Sequence, residues 1–286
     1  MNEDKLVALT MRGGLGNQMF SYATGLALAK RLGGDLRFSP EGYEEPTYRP
    51  YELNAFGINI QTWRTTRSRW RLERAARVVT AGLWRPGPEG LRERNDYEPA
   101  VMTIQAPCFL SGYFQSWRYF SGAEEDIREA FNTDRLSTVR TQPLESTIRE
   151  AACPVAVHIR RGDYELAADA WGLLDAAHYD RARQALEPRA TNKPTYFLFS
   201  DDLPKATALL AHWDNVVPVA GLNGLEDFRL MSICRHFFIA NSTYSWWAAW
   251  LGRAADKLVF APSVWFKASE RPIDEFSRLP PDWIRV

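Results

Sequence analysis

The chain has 286 residues, 45% hydrophobic and 24% charged, a globular composition that excludes wholesale disorder and allows one large domain or two of about 140 residues. Lys+Arg and Asp+Glu both number 35, so no global field draws nucleic acid or an anionic membrane, and any anion must be held locally. Cys108, Cys153 and Cys234 stand far apart with no C-x-x-C spacing, which argues against a disulfide framework or a zinc site and for a reducing, cytoplasmic setting.

The opening MNEDKLVALTMRGG carries acids where a signal peptide has its basic region, so no secretion signal is expected. No run reaches the roughly 18 apolar residues of a membrane span, and no transmembrane segment is expected either. Lys5–Met11 reads as a short strand that breaks into the glycine turn RGGLGNQ. Met19, Tyr22, Ala23, Leu26 and Ala29 then recur at helical spacing until Gly33, a good C-terminal stop. Strand, glycine turn and helix suggest a dinucleotide fingerprint, but Met19 stands where G-x-G-x-x-G needs its third glycine, and no Lys-Ser/Thr follows as a P-loop requires. Gly14 and Gly16 let the backbone approach a ligand closely, with Asn17 and Gln18 pointing polar groups into the same space, an arrangement that suits a sugar better than a phosphate.

Asp35–Phe38 reads as a second strand and residues 48–58 as an irregular or short helical segment. Residues 63–85 hold seven arginines against one acid, Glu73, and put Trp63, Trp70, Arg77 and Trp84 seven apart, on one face if the segment is helical. Two readings stand: a face that contacts a membrane surface or closes over an acidic ligand, or a solvated basic helix whose tryptophans pack on the body of the protein. Residues 86–100, rich in Pro, Gly and charge, read as an exposed loop, and a helix around Ala123–Phe131 completes the first half.

The second half alternates plainly. Strands at 154–159, 195–200, 216–219, 236–240 and 257–261 are separated by helical stretches near 178–186, 203–211, 224–234 and 245–251. Short apolar runs alternating with helices mark a parallel sheet covered on both faces, and ligands on such sheets sit at the carboxyl ends of the strands. Both halves open on a strand running into a polar, glycine-containing turn, so the chain divides into domains at 1–145 and 146–286.

Three strand ends carry chemistry: HIRRGDY, SDD and NSTYS. Arg160 and Arg161 offer permanently charged planar forks suited to phosphate oxygens. Neighbours on an extended segment face opposite ways, so Arg160, sharing its face with His158, meets the ligand while Arg161 pairs internally. Asp163 orients an arginine or accepts from a substrate hydroxyl. Ser242, Thr243 and Ser245 precede a short helix whose first turn offers unpaired N–H groups, a cradle for phosphate; the alternative is an ordinary helix cap. Asp201 and Asp202 fit a nucleoside better than Mg²⁺, because the arginines already neutralise a diphosphate and no Asp-x-Asp is present.

Together GGLGNQMFSYATGLALAKRLG, RPYEL, HIRRGDY, FLFSDD and NSTYSWWAAWLG resemble, in order and over about residues 5–262, the bacterial α-1,2-fucosyltransferases of glycosyltransferase family 11. The resemblance implies a GT-B-like α/β fold, two Rossmann-type domains facing across a cleft, the C-terminal one binding GDP-fucose and the N-terminal one the acceptor. It implies inversion at the anomeric carbon with no cofactor and no metal. Carried to this chain, it places Arg160 on the β-phosphate, His158 with Asp201 or Asp202 at guanine and ribose, Ser242, Thr243 and Tyr244 on the phosphates, and Asn17 by the reaction centre. Asp163 is the first candidate for general base, with Glu44 and Glu45 behind it. The expected partners are GDP-fucose and a galactose-terminated glycan, in surface polysaccharide synthesis. HxRRGDY is shared with α-1,6- and protein O-fucosyltransferases, so another linkage or acceptor is the same-class alternative, and a non-catalytic nucleotide-sugar-binding protein is the other. The basic segment 63–85 matches no family motif.

Overall fold

The computed structural model describes residues 5–39, 49–59, 77–81, 84–87, 90–93, 97–166, 172–266 and 278–286. The chain divides into two compact units, Met1–Asn132 with Ile273–Pro280, and Thr133–Pro272 with Pro281–Val286.

In the first unit, β1 (Leu6–Thr10), α1 (Leu15–Leu32) and β2 (Asp35–Ser39) form the expected strand, turn and helix followed by a second strand. A 3₁₀ turn at Leu53–Phe56 follows, then β3 (Arg77–Ala81), β4 (Trp84–Gly87), β5 (Gly90–Glu93), α2 (Ala100–Thr103), β6 (Cys108–Gly112), a 3₁₀ turn at Trp117–Phe120, and α3 (Glu124–Ala130). The sheet order is β2-β1-β6-β3, with every pairing parallel. Strand β1 is buried along its length, and α1 ends at Gly33 in the left-handed conformation, its N–H returned to the last turn.

Two expectations fail here. The basic segment is not one helix through residue 85, because Arg77–Ala81 pairs with β6 as an edge strand. Val78-Val79-Thr80 is a β-branched run, and such residues favour the pleated chain over the helix. A face shared by Trp70, Arg77 and Trp84 therefore has no helix to carry it, while residues 60–76 lie outside those described. The exposed loop is instead partly the antiparallel hairpin β4–β5, turning between Gly87 and Gly90.

The second unit contains α4 (Gln142–Glu150), β7 (Pro154–Ile159), α5 (Gly162–Leu166), α6 (Ala176–Leu186), β8 (Thr195–Ser200), α7 (Leu203–Leu209), β9 (Val216–Pro218), α8 (Gly224–Ser232), β10 (His236–Phe238), α9 (Thr243–Leu251), β11 (Val259–Ala261) and β12 (Ile284–Arg285). Its strands run in the order β12-β11-β10-β7-β8-β9, all parallel. Val155, Val157 and Ile159 turn one face of β7 into a core with Tyr179, Ala182 and Leu186 of α6. On the other face lies α9, whose Trp246 and Trp247 are fully buried with ring centroids 5.0 Å apart. Gly252 ends α9 where any side chain would strike the Phe237 ring, and Lys257 Nζ donates to the carbonyls of Ala249, Trp250 and Gly252, capping that end with a cation.

The break between units falls at Asn132/Thr133, thirteen residues before the division drawn from the sequence. A buried ion pair explains why. Arg229 of α8 reaches Glu145 of α4 at 3.1 Å and Asp134 at 2.8 Å, and also donates to Thr133, so residues 133–150 are fastened to the second unit.

Candidate active site

In the second unit the chain passes from β7 outward through β8 to β9, then returns to β10 on the other side of β7. That reversal between β7 and β10 is the topological switch point, where open parallel sheets bind ligands. HIRRGDY leaves β7 there and NSTYS leaves β10 there. Tyr164 joins the two loops by donating its hydroxyl to the Asn241 carbonyl at 3.0 Å, and the His158 ring lies 5.5 Å from the Tyr244 ring.

The two arginines diverge as extended neighbours must. Arg160 Nη1 pairs with Asp201 Oδ2 at 3.1 Å, and its guanidinium carbon sits 5.6 Å from the Tyr164 ring centre. Arg161 donates through Nη2 to the Leu174 carbonyl, while its backbone N–H donates to Asp201 Oδ1 at 2.8 Å. Asp201 thus holds the whole arginine turn. A Cβ at position 162 would lie 2.3 Å from Asp201 Oδ2, so glycine is what lets the turn close on the carboxylate. Asp202 caps α7 through Lys205 N–H and pairs with Lys205 Nζ, and that backbone hydrogen bond, with lysine's charge, holds its carboxyl below the usual range. Both aspartates expected at a nucleoside therefore have protein partners. The side chain of Asp163 lies outside those described, as do residues 44 and 45.

His158 is buried and neutral: burial first, then the Arg160 charge, push it down to about 3, and its Nδ1 has no hydrogen-bond partner among the described residues. Ser242 is the N-cap of α9 yet makes no capping bond with its side chain. Tyr244 donates its hydroxyl to the Gly224 carbonyl and packs against Phe228 at 5.3 Å, which ties α9 to the start of α8. One residue before Phe228 is Asp227, unremarked in the sequence. Burial, then the charge of Glu226, raise its carboxyl to about 6, and its Oδ1 is buried without a partner among the described residues.

The first unit repeats the topology, with its switch point between β1 and β6. Asn17 Oδ1 there accepts from Gln115 Nε2 at 2.8 Å, linking the first turn of α1 to the loop after β6. Gln115 was missed because a glutamine in GYFQSW has no motif value; its position just past a strand was the available signal. Gln18, expected beside a ligand, is fully buried and donates both amide hydrogens, to Gly13 and Pro50 carbonyls, while accepting from Glu52 N–H. Its part is to tie the glycine turn to RPYEL. The glycine that the turn requires is Gly13, at φ +76° with Asn17 packed against it, whereas Gly14 and Gly16 begin the helix. Glu52 completes the clamp by accepting from Leu15 N–H at 3.0 Å.

Two parallel α/β units, each with polar side chains gathered at its switch point, define a protein of the GT-B-like, two-Rossmann class. Residues 93–286 match the family described as Glycosyl transferase family 11, and the chain belongs to that family. It is similar to the alpha-1,2-colitosyltransferase of Escherichia coli, 29% identical across 98% of this chain and 99% of that one. It is also similar to the O-antigen biosynthesis glycosyltransferase WbnK of Escherichia coli, 29% identical across 91% and 95%. In fold it resembles fucosyltransferase NodZ from Bradyrhizobium, with TM-score 0.50 and 15% identity over 90% of this chain and 95% of that one. NodZ alpha-1,6-fucosyltransferase co-crystallized with GDP gives the same TM-score at 14% identity. The protein is accordingly a fucosyltransferase-like glycosyltransferase. Among the described residues, no helix is long and apolar enough to cross a membrane.

Proposed function

We propose that the chain is an inverting glycosyltransferase that moves L-fucose from GDP-fucose to the 2-hydroxyl of a terminal galactose, in the assembly of a surface polysaccharide. The observation that carries this reading is the convergence of Arg160, His158 and the start of α9 at one switch point. The α-1,2-colitosyl activity named for one bacterial relative supports the linkage, the O-antigen role named for the other supports the setting, and GDP in a NodZ crystal supports the nucleotide.

In the reaction the acceptor oxygen bonds to fucose C1 as the bond from C1 to the β-phosphate oxygen breaks, and the hydroxyl proton passes to a base. Negative charge grows on the departing GDP. Arg160, held in place by Asp201, and the first-turn N–H groups of α9 meet it with charge and dipoles that need no reorganisation. Neutral His158 adds a hydrogen-bonding nitrogen without a competing charge. Asp227 is matched to guanine, whose N1–H and amino group are adjacent donors to a carboxylate. Metal independence is part of the proposal: the paired acids that would be a cation's ligands are already bound to Arg160 and Lys205.

The name of the colitosyl relative favours a second donor, GDP-colitose, whose sugar is fucose without its 3-hydroxyl. Rates with GDP-fucose and GDP-colitose, over a panel of galactose-terminated glycans with linkage analysis by NMR, test both readings. An α-1,2 product from GDP-fucose is expected. A strong preference for GDP-colitose would replace the donor, and neither hydrolysis nor transfer with either would sink enzymatic function altogether.

A further inference from the structure

The first unit holds polar groups at its switch point that the described residues leave unsatisfied. Gln115 is 9% exposed; its Nε2 is committed to Asn17, but its Oε1 is buried with no partner among the described residues. Two residues on, the indole Nε1 of half-buried Trp117 is likewise buried without a partner. A buried acceptor and a buried donor left unmade are costly, and native proteins retain such pairs where something else completes them. The loop is also strained. Phe114, a buried bulky residue, stands at φ +52°, and Ser116 N–H turns back to the Phe114 carbonyl at 2.7 Å. Backbone outliers of this kind cluster at ligand sites, where the conformation is held for what it presents.

The location agrees. Gln115 follows the carboxyl end of β6 and Asn17 follows β1, the two strands flanking the reversal. The three side chains at issue are neutral: two carboxamides and one indole. One acceptor and one donor beside an aromatic face match a sugar, whose hydroxyls both donate and accept and whose C–H face packs on a ring. We infer that Gln115 and Trp117, with Asn17 positioned by Gln115, form the recognition site for the hydroxyls of the acceptor's terminal sugar. This inference rests on the glycosyl-transfer reading and adds residues to it. The ligand class is a neutral, galactose-terminated glycan.

The test uses lactose as probe, with saturating GDP, and measures lactose affinity by ligand-observed saturation-transfer NMR on the full chain. Wild-type protein should bind lactose. Gln115→Met, which keeps bulk and removes the amide, should weaken it about tenfold, and Trp117→Phe, which removes the indole N–H with the pyrrole part of the ring and keeps an aromatic face, about threefold. GDP affinity and melting temperature should stay near wild type in both. Unchanged lactose affinity in Trp117→Phe and in folded Gln115→Met overturns the inference. So does a loss that parallels loss of GDP affinity, since that reports unfolding. Wild-type protein that binds GDP but no lactose also overturns it, whereas failure to bind GDP counts against the fucosyl-transfer reading itself.

Discussion

Replacing Asp227 by asparagine should make the protein more stable and a poorer binder of GDP, and the size of the first effect follows from burial. The carboxyl titrates at about 6 in the folded chain against an ordinary 3.8, because burial and then the Glu226 charge disfavour its ionised form. A group raised on folding contributes stability that is fully present below its unfolded value and is lost as pH rises through its folded value. Two pH units at about 1.4 kcal/mol each give an upper limit near 3 kcal/mol, which partial exposure reduces to about 2 kcal/mol. Asp227→Asn should therefore gain about 2 kcal/mol at pH 8, or roughly 4–8 °C in melting temperature, and only a small fraction of that at pH 4. Thermal melts of both proteins from pH 4 to pH 8 check this. His158, held down to about 3, works in the opposite sense, losing stability as pH falls below about 6.5, but it is common to both proteins and cancels in the difference. The cost appears in function. A carboxylate accepts both guanine donors and an amide does not, so the GDP dissociation constant should rise about 10–100-fold by calorimetry. A variant less stable at pH 8, or a gain that ignores pH, refutes the burial argument; unchanged GDP affinity removes guanine from Asp227.

Arg160→Ala should lower kcat about 10²–10³-fold at saturating donor, with Arg160→Lys recovering part of it, and wild-type turnover in folded Arg160→Ala would end its role at the leaving group. Gly162→Ala should displace Asp201, which a Cβ would approach to 2.3 Å, and so cost kcat with little change in acceptor KM. Removal of Glu145 takes from the buried Arg229 its buried partner and leaves it the exposed Asp134, and Glu145→Ala should lose about 3 kcal/mol in urea unfolding. Burial opposes the charge of Glu145, but hydrogen bonds from Arg229, Ser137 and Thr141 and the charge of Arg229 outweigh it and hold the carboxyl at about 2, so stability falls in wild type as pH drops below the ordinary 4.5. EDTA should leave transfer intact; a large loss restored by Mg²⁺ would reinstate Asp201 and Asp202 as metal ligands.

The alternation of the second half was legible because a parallel sheet covered on both faces must be written as short apolar runs between helices, and β7, β8 and β10 are such runs. Arg160 and the NSTYS turn were found for the same reason, as charges and hydroxyls at strand ends. What sequence hid was partnership. Asp201 and Asp202 are adjacent acids, yet one holds the arginine turn and the other caps a helix, a difference set by which strand end each faces. Asp227 and Gln115 sit within ordinary helix and loop patterns; only burial, a tertiary property, marks them. The segment around Arg77 misled because seven-residue spacing was weighed above the local Val-Val-Thr run, which decides strand over helix.

Each unit places a helix start at its switch point, and a helix start attracts anions, so topology alone would allow phosphate in either. Side chains decide between them. At α1 the position is occupied by the protein's own anion: Glu52 accepts from Leu15 N–H, its carboxyl raised by burial, and a phosphate arriving there would meet like charge in a poorly solvated place. Gln18 and Asn17 beside it are neutral. At α9 the Ser242 side chain makes no cap, Lys257 satisfies the opposite end, and Arg160 stands on the neighbouring strand end. On the proposed reading the same local motif serves a neutral ligand in the first unit and an anionic one in the second, and RPYEL supplies the carboxylate that makes the distinction.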